Sequence, residues 1–221
     1  GEQYKMFKLT NYLKRTRGAS LAEFAVVAAM MGTMATVAAP KFSGVGAGAK
    51  KRKAISNIDA IVQSANNFYN KAVSDEGRGR FPGQEKFDRV VGGYGSDGAT
   101  ITEILAARTA TEIALSDGGF EKYSDTEGAN WSSVFGLTHV AAGIPVVNQS
   151  DVSVVDDAGA IVGSTEFLAG FGDQTIKSPF QDGHYIYVVI PGGGSGEAAE
   201  APTLYVADLE NPAMFNKTLR P

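Results

Sequence analysis

The stretch GASLAEFAVVAAMMGTMATVAAP, residues 18–40, decides how the rest of this chain is interpreted. From Ala19 to Ala39 there are 21 residues, and Glu23 is the single charged side chain among them. As a helix this run would measure about 31 Å, close to the thickness of the hydrocarbon core of a bilayer. A lone carboxylate there is costly unless a counter-charge or a wet cavity accommodates it. The pattern therefore predicts a membrane helix with a functional glutamate.

Further features at fixed spacing frame this run. The basic segment 14–17 precedes Gly18, Ala19 opens the apolar run, Glu23 lies inside it, and Pro40 ends it. Together they resemble the prepilin signal of the type IV pilin superfamily, which includes pilins, type II secretion pseudopilins and competence pilins. The resemblance covers roughly the first 70 residues.

The resemblance assigns roles to residues of this signal. It implies that a prepilin peptidase cuts between Gly18 and Ala19 and methylates the new amine of Ala19. It also implies that Glu23 pairs with the Ala19 amine of a neighbouring subunit. A buried carboxylate needs a counter-charge, and cleavage after Gly18 creates one. The helix kink is assigned to Gly32 and Pro40, because proline removes a backbone donor and clashes with the preceding turn.

The fold class expected from the pattern and the resemblance is α+β, with a long N-terminal helix packed on a C-terminal antiparallel β-sheet domain. The leader is residues 1–18, and the N-terminal helix is 19–74. Its first half, 19–40, would lie in the membrane or the filament core, and its second half, 50–73, would be amphipathic. Residues 75–221 would form a globular α+β head domain.

The function implied is structural and not enzymatic, without a cofactor. The chain would polymerise through its N-terminal hydrophobic helix after leader cleavage. Its partners would be further copies in a helical homopolymer, the prepilin peptidase, the pilus assembly platform with its ATPase, and the inner membrane. It would reside in the cytoplasmic membrane and then in an extracellular or periplasmic filament. Two alternatives stay open: a pseudopilin or minor pilin of a secretion or DNA-uptake system, and a membrane-anchored exported domain that does not polymerise.

Two details bear on the subclass. Ala19 stands where phenylalanine is more usual, and the leader has 18 residues, or 13 if translation begins at Met6. Both resemble the type IVb branch, but that branch usually closes its C-terminal region with a disulfide and this chain has no cysteine. The type IVb-like and pseudopilin-like subclasses both stay open.

Two simpler explanations compete with the prepilin signal. An ordinary secretory signal peptide would place Glu23 inside an apolar region longer than the usual ~7–15 residues. Its cut after Ala39 would also leave Pro40 directly beyond the scissile bond. A plain membrane anchor explains the length of the run but assigns no role to Gly18 or Glu23.

Charge does not favour DNA as a partner. The formal net charge is −4 over 221 residues, and the basic leader makes the remainder more acidic still. The basic run Lys50–Lys53 has no interleaved aromatic side chains, so it indicates a solvated helix face or a contact with acidic neighbours. Basic residues flank the predicted span about equally, so orientation follows from the resemblance, with the head outside the cytoplasm.

Apolar residues predict the amphipathic half of the helix. They recur at i, i+3, i+7, i+10 and i+14, at Ile55, Ile58, Val62, Ala65 and Tyr69. This periodicity is typical of a helix with one face on a sheet.

Local patterns predict the elements of the head. Segment 78–98 is expected to be a loop, and Thr100 with Glu103 forms a capping-box pattern that starts a second helix. Strands 152–155 and 160–162 flank turn residues, which predicts a hairpin. The strongest strands are His184 to Ile190 and Leu204 to Leu209, and the intervening Pro191 to Pro202 is expected to be a linker without apolar packing.

Catalytic and metal-binding patterns are weak. The two histidines, His139 and His184, are not accompanied by a nucleophile or phosphate-loop motif. Four aspartates could supply oxygen ligands for calcium, but their spacing fits turns better; they are Asp151, Asp156, Asp157 and Asp173. No catalytic or metal site is predicted.

Overall fold

Helices and an antiparallel sheet make up this α+β chain. A computed structural model describes residues 46–116, 118–121, 126–136, 139–141, 144–147, 152–156, 159–180 and 184–221. The helices are α1 (46–76), α2 (Ile101–Ala114) and α3 (Gly163–Gly170). The strands are β1 (Ser132–Ser133), β2 (His139–Ala141), β3 (Ile144–Val147), β4 (Val152–Asp156), β5 (Gly159–Val162), β6 (Tyr185–Ile190), β7 (Thr203–Asp208) and β8 (Asn216–Leu219). Residues 50–221 form one compact unit, and the described residues 46–49 precede it.

The main sheet has four antiparallel strands in the order β1-β6-β7-β8. Strands β6 and β7 pair along their whole length, from Tyr185 opposite Asp208 to Ile190 opposite Thr203. The two strongest predicted strands are therefore confirmed; β6 begins one residue later than predicted, and β7 begins and ends one residue earlier.

Both faces of β6 and β7 are covered, which explains why these strands have continuous apolar sequences. Every residue of the two strands is buried. Tyr187 and Val206 point into one core with residues of α1 and α3. Ile186 and Tyr205 point into a second core with residues of α2. Two-sided burial removes the apolar and polar alternation that a half-exposed strand would show.

Helix α1 covers the first face, as the periodicity predicts. The side chains of Ile58, Ile61 and Ala65 lie in the core with the sheet. The prediction that Ile55 belongs to this face is wrong, because Ile55 is 50% exposed and its neighbour Ala54 is fully buried. One residue turns the helix by about 100°, which is enough to move a side chain from the face to its flank.

Helix α2 begins at the predicted capping box and covers the second face. The backbone N–H of Glu103 donates to Thr100 Oγ1 at 3.4 Å, and the Thr100 N–H donates to Glu103 Oε2 at 2.8 Å. Ile104 is fully buried in the second core. A helix on this side of the sheet was not among the expectations from sequence.

The connection from β6 to β7 differs from the predicted linker. Pro191 and Pro202 are buried, Gly193 pairs with Glu200 in an antiparallel bridge, and a short 3-10 helix spans Gly196–Ala198. A Cβ on Gly193 would approach Ile104 Cδ1 to 2.6 Å. Because Gly193 has no side chain, this backbone can lie close to α2. The glycine therefore permits close packing here, in addition to its conformational freedom.

Shorter strands flank the main sheet. The predicted hairpin is confirmed as the antiparallel pair β4–β5, which leads directly into α3. The pair β2–β3 was not predicted. Segment 78–98 is irregular, as expected, and Val91 bridges to Val189 of β6. Among the described residues, no helix is both long and apolar enough to cross a membrane.

Candidate functional site

The predicted site residues lie in the part of the chain that the structure does not describe. Gly18, Ala19 and Glu23 of the cleavage and assembly signal, and Gly32 and Pro40 of the predicted kink, all precede residue 46. What the structure does describe is the helix that follows this signal in sequence and the surface around it.

Helix α1 has an outward face that is rich in uncharged polar side chains. Exposed side chains follow one another at helical spacing along it, at Ser56, Gln63, Asn67, Asn70 and Ser74. The Gln63 amide donates to Asn67 Oδ1 at 3.1 Å. Asp59 on this side is paired with Lys217 of β8 at 2.5 Å, which ties the helix to the edge of the sheet. Such a face offers hydrogen-bonding groups without a strong net charge.

Four exposed cations occupy one turn of α1 just before its buried face begins. Residues 50–53 are Lys, Lys, Arg and Lys, and all four are exposed. We call them the basic collar. Among the described residues, none is recorded in an ion pair with them.

The C-terminal end of α1 is fastened by an ion cluster. Arg80 Nε lies 3.0 Å from Glu76 Oε2, and Arg80 Nη1 lies 2.8 Å from Glu166 Oε1 of α3. The guanidinium also donates to the Gln84 carbonyl and lies 4.9 Å from the ring centroid of Phe68. Burial opposes the charge of Arg80, yet the hydrogen bonds to the two carboxylates outweigh it and raise the pKa of Arg80.

Glu166 continues this cluster into the next loop. Its second carboxylate oxygen accepts the backbone N–H of Gly83 at 2.7 Å. The cluster thus connects α1, the loop after it and α3. Sequence analysis did not single out these residues; the i, i+4 spacing of Glu76 and Arg80 was a visible signal, whereas Glu166 lies 86 residues from Arg80.

A buried polar network joins α1 to the sheet. The Asn57 amide donates to Tyr185 Oη at 2.9 Å and to the Lys177 carbonyl at 3.2 Å. Ser178 Oγ donates to Asp208 Oδ2 at the end of β7. Burial raises the pKa of Tyr185 to about 12, and the nearby charge of Asp208 acts in the same direction. Because these buried polar groups are hydrogen-bonded, they fix the position of α1 on the sheet.

The surface grooves near α1 are open and modest. One, of about 360 Å³, lies between α1 and α3 beside Ser64, Lys71 and Glu166. Another, of about 440 Å³, lies beside Tyr69 and Phe87 and the loop after β6. Within the described ranges, no three His, Asp or Glu side chains are grouped closely enough to hold a metal ion.

The remaining residues considered from sequence are dispersed. His184 precedes β6, His139 begins β2, and Asp156 ends β4. Asp173 occupies a turn with a positive φ of 60°, which agrees with its interpretation as a turn residue. Asp151 and Asp157 lie outside the described residues.

Comparison with known proteins adds no relative. No protein-family model, curated protein or solved structure matches this chain.

Proposed function

We propose that this chain is a structural subunit of a type IV pilus-like filament. The observation that carries the proposal is the spacing of Gly18, Ala19 and Glu23 at the start of an apolar run that ends at Pro40. Cleavage after Gly18 places a new positive charge four residues before a carboxylate that otherwise has no partner in its segment.

The described part of the chain supports the proposal through its order of elements. An amphipathic helix follows the predicted apolar segment in sequence, and its buried face packs on an antiparallel sheet. Its outward face is polar and includes several uncharged side chains that can form hydrogen bonds. In the proposed pilin-like architecture, residues 19–40 form the filament core and the head presents its surface outside it.

The proposal also names the partners of the chain and the compartments in which it resides. Before assembly the chain resides in the cytoplasmic membrane, where the prepilin peptidase processes it and the assembly platform with its ATPase receives it. After assembly it contacts further copies of itself. The proposal covers a major pilin as well as a pseudopilin or minor pilin, since all share the same signal and assembly contact.

Processing provides the direct test of this proposal. Intact-mass measurement of the protein recovered from its native membrane or filaments should show a chain that begins at Ala19 and carries one additional methyl group. Gly18→Val, which adds bulk at the cleavage position, should leave the leader attached. A chain that begins at Pro40 would instead indicate an ordinary signal peptide, and the proposal would fall.

A further inference from the structure

The basic collar surrounds its helix completely. Successive residues of an α-helix lie about 100° apart, so four consecutive cations point in all directions around the axis. The next residue, Ala54, is fully buried against the head, so the collar lies at the boundary of the packed unit. A contact with one neighbouring protein surface would need cations on one side only.

The charge of the collar is also opposite to the net charge of the rest of the head. From residue 54 to residue 221 there are 22 acidic and 10 basic side chains. Several of those basic side chains are already in ion pairs, among them Arg80, Arg108, Lys217 and Arg220. The collar is therefore a concentrated positive site on an otherwise acidic unit, and its charge is suited to an anionic partner.

A second copy offers less unpaired negative charge than its number of acidic side chains suggests. Many exposed carboxylates are paired within the head, including Asp59, Glu76 and Glu112. Nucleic acid also fits poorly, because residues 46–58 contain no aromatic side chain on which a base could stack.

We propose that the basic collar binds anionic phospholipid headgroups at the surface of the membrane that segment 19–40 spans before assembly. The inference rests on the proposed function, because it needs that segment as an anchor. Lys50 follows Pro40 by 10 residues, so even a fully extended connection reaches only about 35 Å. The anchor would therefore keep the collar within reach of the headgroups.

Membrane physics supports this partner. Basic residues close to a span normally mark its cytoplasmic side, so a basic cluster on the exported side needs another explanation. Each Lys or Arg near an anionic surface favours binding by a factor of about five. Phosphates surround any helix that stands within the headgroup layer, and an arrangement of cations on every side of the helix fits such an environment. Long basic side chains also tilt toward the N-terminus of their helix, which is the end nearer to the predicted span in sequence.

The experiment uses the full chain in vesicles and a fluorophore close to the collar. The chain has no native cysteine, so Ser56→Cys provides a single labelling position on the exposed side of α1. Energy transfer to an acceptor-labelled lipid reports how close the collar is to the surface. Vesicles of phosphatidylcholine alone are compared with vesicles that also contain about 30 mol% phosphatidylglycerol. The test variant is K50Q/K51Q/K53Q, and the matched control replaces three exposed lysines elsewhere, K71Q/K86Q/K177Q.

We expect higher energy transfer in the anionic vesicles. The collar variant should shift the equilibrium between bound and detached collar by about 100-fold and lose the difference between the two lipids. The control variant should keep the difference between the two lipids. Raising the salt to about 0.5 M, where the screening length is about 4 Å, should also abolish it.

Other outcomes overturn the inference. Equal transfer in both lipids, or transfer unaffected by the collar variant, would remove the headgroup contact. Transfer that depends on the protein-to-lipid ratio but not on lipid charge would assign the collar to a second copy. A collar-dependent gel shift of duplex DNA without any lipid dependence would assign it to nucleic acid.

Failure of the proposed function is detected separately. If alkaline carbonate extracts the wild-type chain from the vesicles, segment 19–40 does not span and the anchor is wrong. A vesicle flotation assay then tests the collar independently of the anchor. If the wild-type chain binds anionic vesicles and the collar variant does not, the headgroup contact is supported. If both bind, or if neither binds, the headgroup contact is overturned.

Discussion

Arg80 contacts three segments of the chain: helix α1, helix α3 and the loop that follows α1. Its guanidinium contacts Glu76 of α1, Glu166 of α3 and the Gln84 carbonyl of the intervening loop. Only 12% of its side chain is exposed. A cation in this position is stabilised by its partners, and the partners in turn depend on the cation, because a partly buried carboxylate without a counter-charge is costly.

Replacing Arg80 therefore tests the fastening of α1. Arg80→Ala should lower the free energy of unfolding by about 2–3 kcal/mol, since it leaves Glu166 without its charged donor. Lys217→Ala is the matched control, because it breaks the exposed pair with Asp59 and should cost less than about 1 kcal/mol. Urea unfolding of the full chain in detergent, followed through the single buried Trp131, gives both values. Equal losses would show that the Arg80 cluster contributes no more than a surface pair.

Tyr185 predicts a loss of stability at alkaline pH. Burial raises its pKa from 10.0 to about 12, so the folded chain holds the phenol proton more tightly than the unfolded chain does. The resulting stability is fully present below pH 10 and is lost as the pH rises through about 12. The loss should amount to about 1–3 kcal/mol.

Unfolding measured at several alkaline pH values checks this expectation. Tyr185→Phe should be less stable near neutral pH, because Asn57 loses an acceptor, and should show a shallower decline between pH 10 and pH 12. Burial also raises the pKa of Tyr69 and Tyr205, so part of the decline should remain. An unchanged slope in Tyr185→Phe would contradict the assignment to Tyr185.

At the scale of elements, sequence patterns predicted what local periodicity can encode. The stripe of apolar residues identified the buried face of α1 to within a neighbouring position, and the capping box identified the start of α2. The apolar runs identified β6 and β7. Each of these signals lies within one continuous segment, so no knowledge of distant residues was required.

What sequence patterns missed depends on distant partners. The apolar runs of β6 and β7 indicate burial on both faces, but they do not indicate that α2 is the element that covers the second face. Strand β1 has two residues, too few for any periodicity. The contact between Arg80 and Glu166 spans 86 residues and has no local signature. The candidate assembly site was predicted from its own short signal, and its geometry lies outside the described residues.

The predicted kink provides a test at the level of the N-terminal helix. If the segment from Gly32 to Pro40 must bend or unwind when the subunit leaves the bilayer, Pro40→Ala should stiffen it. Membrane insertion should be unchanged, because the segment stays apolar, while filament yield or extensibility should change. Carbonate extraction measures the first and sheared-filament recovery with force extension the second. Filaments identical to the wild type in both respects would show that Pro40 is incidental.

At the scale of the whole molecule, the chain divides its tasks by position. The compact unit from residue 50 to residue 221 has two packed cores and needs no disulfide, since the chain contains no cysteine. The basic collar is positively charged, whereas the rest of this unit carries a net negative charge. In our account, polymerisation is left to the segment before it, where one carboxylate carries the contact between subunits.

Glu23→Gln tests that account most directly. The substitution keeps the shape of the side chain and removes its charge, so insertion into the bilayer should become easier while the pair with the neighbouring Ala19 amine is lost. Breaking one half of a buried ion pair typically costs about 3–5 kcal/mol, and a polymer repeats that cost at every subunit. Glu2→Gln is the matched control, because it removes a carboxylate from the predicted leader, which the account expects the mature chain to lack.

The decisive measurement is the yield of sheared filaments from Glu23→Gln relative to the cleaved protein that stays in the membrane. The account predicts that Glu23→Gln is cleaved, accumulates as membrane-resident monomer and gives a filament yield lower by at least about tenfold, while Glu2→Gln assembles normally. A wild-type filament yield from Glu23→Gln would contradict the account and leave the chain as a plain membrane-anchored domain.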